Sequence, residues 1–316
     1  MSAGDVVIIG AGMAGLACAR ALAAAGKAPL VIDKGRGIGG RMATRRVALA
    51  GGEVAFDHGA QYFSVRDPGL AALLDALPDA VGDWEIGRPR RVGRPGMSAL
   101  PRAMAAGLEV RQGVTVTALR PTPEGWEIIT DRAPLHAAQV VLTVPAPQVA
   151  GLLGASHPLV AALRGVAIAP CLTLMAAFPP DAPRPFATRG RDDHPLAWIA
   201  QDSTKPGRAA PVTAWVAQAS AEWSTAHLEE PPEAIAERML PMLAEALGTD
   251  PATALHARAH RWRYARVTAP LGAPFLRSAD GALWLGGDWC LGPRVEAAWQ
   301  SGTAIAQDLL ERGDVR

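Results

Sequence analysis

The chain has 316 residues, enough for about two domains. Hydrophobic residues make up 49% and charged residues 19%, which excludes a disordered composition. With 31 basic against 30 acidic residues the net charge is +1, so there is no electrostatic footprint for nucleic acid or an anionic membrane. Cys18, Cys171 and Cys290 lie far apart with no CxxC pair, which argues against a disulfide framework and a structural zinc, and no metal site is expected. Only Lys27, Lys34 and Lys205 are lysines, so a mechanism that needs a catalytic lysine has three candidates.

Val6 to Ala19 is apolar throughout, but Asp5 precedes the run and Arg20 ends it, unlike a secretory signal. No stretch reaches the roughly 18 apolar residues of a membrane span. The expectation is a soluble, cytoplasmic protein.

Asp5-Val-Val-Ile-Ile9 predicts a strand buried on both faces. It runs into Gly10-Ala-Gly12-Met-Ala-Gly15, a helix over Leu16 to Ala25, a stop at Gly26, and a second strand over Pro29 to Ile32 closed by Asp33. This is a βαβ unit with GxGxxG at its first turn. Gly10 permits the tight turn, Gly12 lets a diphosphate approach the backbone, and Gly15 lets helix and strand pack closely. The helix N-terminus offers free amides to that diphosphate, with Met13 and Ala14 among the expected contacts, and Asp33 is placed for an adenosine ribose. Strand, motif, helix, strand and acid together predict a dinucleotide site; the alternative is a glycine-rich turn without function.

Lys34-Gly-Arg36-Gly-Ile-Gly39-Gly40-Arg41 follows, a second glycine-rich turn that a plain nicotinamide dehydrogenase has no reason to carry. Here the sequence resembles the flavin-containing amine oxidase superfamily, whose RxGGR segment Arg36, Gly39, Gly40 and Arg41 match. The resemblance implies non-covalent FAD, with Lys34, Arg36, Gly40 and Arg41 beside its diphosphate. The plainer alternative for Arg36 and Arg41 is solvated surface charge.

Phe56-Asp57-His58-Gly59-Ala60-Gln61-Tyr62-Phe63 comes next, after a small strand. Strand signals follow at Leu108 to Val110, Val114 to Leu119, Trp126 to Thr130 and Val140 to Val144, the last broken by Pro145 and Pro147. From about Gly151 to Ala269 the character changes. Strand-like runs at Cys171 to Phe178, Leu196 to Ile199 and Val212 to Ala217 suggest a sheet, and Pro232 to Leu247 has helical spacing. In His260-Arg-Trp-Arg-Tyr264, alternation sets His260, Trp262 and Tyr264 on one face and Arg261 and Arg263 on the other. The three rings are either plain core or an aromatic wall over a planar substrate. The arginines would pair with carboxylates or with substrate phosphates.

Near the C-terminus, Gly281 to Gly286 reads as a strand ending in Gly287 and Asp288, and Ala297 to Ala306 as a helix with Pro293 close to its start. DHGAQYF, the HRWRYA segment and GGDWCLGPRVEAAW together resemble the bacterial renalase-like branch of that superfamily. The resemblance implies flavin contacts at His58, Gly59, Ala60 and Gln61, backbone contacts at Val114 and Thr143, the ribityl chain at Gly287 and Asp288, and amides near Arg294, Val295 and Glu296 at the flavin pyrimidine. Gln61, Tyr62, Trp262 and Tyr264 are the candidate catalytic residues.

The expected fold is α/β: a discontinuous Rossmann-type FAD-binding domain (1–75, 97–150, 270–316) and an α+β substrate domain on a mostly antiparallel sheet (76–96, 151–269). The two ends of the chain must therefore meet. The expected activity is oxidation of 2- or 6-dihydro isomers of NAD(P), with O2 as acceptor and NAD(P)+ and H2O2 as products, and with neither nucleic acid nor membrane as partner. Two alternatives remain: an amine oxidase or desaturase acting on another small substrate, and a flavin-binding protein without turnover. Lys27 and Lys34 sit in the nucleotide-binding unit and Lys205 in a Ser-Thr-Lys-Pro-Gly loop, which counts against lysine-assisted amine oxidation.

Overall fold

The computed structural model describes residues 5–208 and 212–313. Residues 1–4 and 314–316, expected in the cofactor part, and 209–211, expected in the substrate part, lie outside the described residues.

The β-branched run Val6–Ile9 forms a strand at the centre of a six-stranded sheet. It pairs in parallel with Leu30–Asp33 on one side and Gln139–Leu142 on the other. Glu109–Gln112 extends the first edge in parallel and Leu283–Leu285 the second, where Leu276–Arg277 ends the sheet antiparallel. Both faces are covered, which explains uninterrupted apolar runs in place of alternation. Val6, Ile8 and Val31 pack against Leu22, Ile305 and Leu309 of the helices Met13–Ala24 and Val295–Gly313. Val7, Ile9 and Ile32 face Trp126 and Ile128 of a three-stranded antiparallel sheet, Val116–Thr122, Gly125–Thr130 and Leu135–Ala137. The two helices, one from each end of the chain, touch at Gly302, where a Cβ would stand 2.0 Å from the Ala14 carbonyl oxygen. The expected meeting of the two end segments is thus seen at these two helices.

A five-stranded antiparallel sheet forms the second part of the fold: Thr188–Gly190, Leu196–Gln201, Thr213–Ala219, Ala167–Phe178 and the edge strand His256–Ala269. One face (Leu172, Leu174, Phe178, Trp215) packs on Ile235, Met239 and Leu243 of the helix Pro232–Leu247, whose bounds are those its apolar spacing predicts. The other face (Met175, Ala214, Val216) packs on Val54 and Phe56 of the hairpin Thr44–Leu49/Gly52–Asp57. A second hairpin, Val81–Ile86/Arg88–Gly93, joins a core with Leu16, Met97, Leu100 and Ala200. The fold is thus a Rossmann-type α/β unit with a largely antiparallel α+β part. Among the described residues no helix is long and apolar enough to cross a membrane, and no group of three or more His, Cys, Asp or Glu is arranged to hold a metal.

Candidate active site

The first βαβ unit builds a cradle. Gly10 has φ +116°, a conformation that favours glycine, and a Cβ there would meet Thr143 Oγ1 at 2.5 Å. Thr143 donates its hydroxyl to the carbonyls of Ile9 and Gly10, both at 3.1 Å, so the strand before the prolines returns to the glycine turn. At Gly15 a Cβ would lie 1.9 Å from Gly10 oxygen, which is why helix and strand can pack this closely. Gly12 differs: a Cβ there would meet nothing within 4 Å. Gly12 is also the N-cap of its helix, with no side-chain cap and no acid in the first turn, so the amides at Met13 and Ala14 remain for an anion. Gly40, in the second glycine-rich turn, approaches to 3.5 Å from Gly12 Cα when given a Cβ. Two glycine turns and an uncapped helix start therefore surround the open side of Gly12, which fits a dinucleotide diphosphate.

Asp33 accepts the amides of Ala11 and Gly35, both at 2.6 Å. A carboxylate has about four lone-pair sites, so capacity remains for ribose hydroxyls. The Val114 amide donates to the Asp33 carbonyl at 3.1 Å, bringing that backbone to the same corner. Lys34 and Arg36 are exposed. Arg41 turns away from a purely diphosphate role: its guanidinium grips Asp288 through two hydrogen bonds of 2.7 and 2.6 Å and donates to the Ala265 carbonyl at 3.0 Å. Sequence reasoning gave Arg41 and Asp288 separate duties, and the fold makes them partners.

The helix Val295–Gly313 begins just after Pro293, close to expectation. Gly287 donates its amide to Ser301 Oγ at 2.9 Å. Glu296 is buried, and its Oε1 accepts the amides of Arg66 at 2.5 Å and Asp67 at 2.7 Å. That carboxylate ties the helix to the chain after Tyr62. Arg294 is exposed at the turn.

The segment His58–Tyr62 is laid across the five-stranded sheet. Trp198, Gln218, Thr173 and His260 are direct cross-strand partners, so they form one transverse row on one face. His58 stacks on Trp262 with ring centroids 5.2 Å apart and meets His260 edge-on at 4.7 Å. Trp262 Nε1 donates to the His58 carbonyl at 2.7 Å, and Gln218 Nε2 to that of Gly59 at 2.7 Å. Gly59 is pinned from the other side, since its Cβ would stand 2.0 Å from the Arg41 carbonyl oxygen, which accepts the Ala60 amide at 2.8 Å. Tyr62, 37% exposed, carries the Arg90 guanidinium 4.0 Å over its ring and tilts toward Trp198. Tyr264 is half-buried further along the edge strand.

The edge strand alternates as the sequence requires. His260 and Trp262 face the loop, while Arg261 and Arg263 on the opposite face reach Glu229 at 3.3 and 2.7 Å. Those arginines pair with a carboxylate. Burial, with repulsion from His260 and Arg45, lowers the His58 imidazole to about 3. Burial and the neighbouring Arg45 and Arg258 lower His260 to about 4. Both rings are neutral near pH 7.

Sequence reasoning missed a buried ion cluster beneath this loop. Lys205 Nζ lies 3.0 Å from Asp57 and 2.6 Å from Asp202, and Arg208 pairs with both carboxylates. Burial alone would raise the Asp57 carboxyl, but Lys205 and Arg208, helped by the Met97 amide and Thr44 hydroxyl, hold it down to about 2. Lys205 also reaches Gln61 Oε1 at 3.4 Å, while Gln61 Nε2 donates to the Asp57 carbonyl. The only sequence signals were a carboxylate before His58 and the lone lysine; their pairing spans 148 positions.

Fold and site define a dinucleotide-binding flavoprotein. Residues 8–77 match an NAD(P)-binding Rossmann-like domain, and residues 76–310 match the flavin containing amine oxidoreductase family. The chain belongs to that family, and its cofactor is FAD. Among solved structures it is similar to putrescine oxidase, at 16% identity and TM-score 0.74 over 98% of this chain and 99% of that one. It is likewise similar to cyclohexylamine oxidase from Brevibacterium oxydans IH-35A, at 13% identity and TM-score 0.74 over 99% and 100%. At these identities the likeness establishes the fold.

Proposed function

We propose that this flavin-dependent oxidoreductase takes hydride from 2- or 6-dihydro isomers of NAD(P) and passes the electrons to O2, so that substrate, O2 and a proton give NAD(P)+ and H2O2. FAD, when bound, supplies the two-electron chemistry. The cofactor would lie along Gly10–Gly15, Asp33, Gly39–Arg41, Gly59–Gln61, Asp288 and Val295. In this reading 1–75, 97–150 and 270–316 form the cofactor domain and 76–96 and 151–269 the substrate domain.

The observation that carries the reading is the fate of the lysines. Lys205 is fully buried and committed to two carboxylates, while Lys27 and Lys34 are exposed in the nucleotide-binding unit. An amine must be held deprotonated before it can be oxidised, and none of these lysines is placed to do that. A dihydropyridine becomes an aromatic pyridinium on losing hydride and needs no base. What it needs is orientation and a flat, desolvated surface. Trp262, fixed by its bond to the His58 carbonyl, together with neutral His58 and His260, offers that surface. The buried Gln61 amide, held by Asp57 and Lys205, would orient the carboxamide or the flavin edge.

The fold shared with two amine oxidases favours amines as the second reading. An aerobic assay separates them. Incubation with 2- or 6-dihydro-NAD should release H2O2 and NAD+ one to one, while putrescine and cyclohexylamine give none. Peroxide from an amine but not from the isomers would reverse the assignment, and no turnover of either would point to a binding protein.

A further inference from the structure

On the loop-facing side of the edge strand His256–Ala269 stand His256, Arg258, His260 and Trp262, at every second residue. The hairpin Thr44–Leu49/Gly52–Asp57 lies against this side, with the Phe56 ring stacked on His256 at 5.8 Å. Arg45 is the cross-strand partner of Phe56, so its side chain shares the face that meets the edge strand. Met175, the partner of Arg258, packs into the same cluster as Phe56. Two guanidinium groups are thereby directed to one place.

Neither has a counter-ion among the described residues. On the opposite face of the same strand, Arg261 and Arg263 share Glu229. Arg45 is half-buried, and burial with repulsion from Arg258 lowers its affinity for its own proton. His256, lowered by burial and the same two arginines, keeps a buried Nε2 without a partner. Arg45 is half-buried and Arg258 exposed, and two like charges held together favour an anion that joins them.

We propose that Arg45 and Arg258 form a diphosphate subsite for the dinucleotide substrate, an inference that rests on the function proposed above. A strand rises about 3.4 Å per residue, which puts Arg258 about 7 Å from His260 and about 14 Å from Trp262 along the strand. The dihydropyridine would lie at Trp262, its ribose over His260, and the diphosphate between Arg258 and Arg45. The order ring, ribose, phosphate follows the strand.

The test uses holoenzyme carrying Arg45→Gln and Arg258→Gln together, and Arg258→Gln alone at its exposed position as the milder variant. In the double variant the KM for dihydro-NAD should rise ~10–100-fold relative to that for the phosphate-free dihydronicotinamide riboside, as expected for losing charge-assisted bonds. The single variant should fall between. ADP-ribose, titrated into oxidised holoenzyme and followed by calorimetry, should bind the double variant at least about tenfold more weakly. Equal losses for riboside and dinucleotide would overturn the subsite, as would unchanged ADP-ribose binding or no ADP-ribose binding to the wild type. Inorganic pyrophosphate binding as tightly as ADP-ribose would overturn the assignment to a dinucleotide. If no dihydronicotinamide is oxidised, the proposed function fails, and the ADP-ribose titration still decides the subsite.

Discussion

At Gly12 and Gly15, three residues apart in one motif, adding a side chain has different consequences. Gly15→Ala would drive a Cβ to 1.9 Å from the Gly10 oxygen, so the helix cannot seat and the protein should fail to fold stably. Gly12→Val meets open space in the protein, so the chain should fold with unchanged far-UV circular dichroism and lack flavin absorbance. Full FAD occupancy in Gly12→Val would refute the placement of the diphosphate. Trp262→Ala removes the donor to the His58 carbonyl and the surface beneath His58. The variant should keep its flavin and reduce it ~10–100-fold more slowly, the scale of lost orientation; global unfolding would mean that Trp262 is core alone.

The elements were unequally legible. Val6–Ile9 and Pro232–Leu247 follow from apolar runs and spacing, because their burial is dictated by a continuous local pattern. Helix Met13–Ala24 starts three residues before the expected Leu16, since its first turn is the glycine motif itself. The second hairpin, with Trp84 buried and polar strands around it, carries no such pattern; Trp84 is held by a bond to Thr204 at 3.0 Å. The site was legible where it uses local motifs, at Gly10–Gly15 and Asp33, and at the alternation of His260 to Arg263. It was not legible where side chains pair across the fold, as Arg41 with Asp288 and Lys205 with Asp57. That buried cluster yields a test of its own. Lys205→Met leaves two buried carboxylates on Arg208 alone and should lower the unfolding free energy by about 3–5 kcal/mol. Urea denaturation unchanged from wild type would contradict the account of the cluster.

For the whole molecule, these environments set the response to acid. His58 and His260 titrate near 3 and 4 in the fold, below their ordinary 6.5, so the unfolded chain takes up their protons first as pH falls. The stability they confer is complete above about 6.5 and declines as pH drops through the folded values. Asp57, at about 2 against an ordinary 3.8, adds a loss that begins near pH 4. The melting temperature should therefore fall from pH 7 to pH 5 and keep falling below pH 4, where Asp57 takes over as the histidines' contribution ends. A flat profile between pH 7 and pH 5 would contradict the neutral burial of the two histidines.

The molecule joins a mostly parallel nucleotide-binding sheet, covered by helices and a small antiparallel sheet, to a five-stranded antiparallel sheet across which His58–Tyr62 is laid and pinned to Arg41. What that arrangement oxidises is the central claim. The most direct measurement is the anaerobic visible spectrum of the purified holoenzyme before and after adding 2- or 6-dihydro-NAD, with putrescine and cyclohexylamine in parallel. The account predicts that the flavin bleaches within seconds with an isomer, stays oxidised with the amines, and recovers its colour on admitting air. A flavin that stays oxidised with both isomers and bleaches with an amine would contradict it.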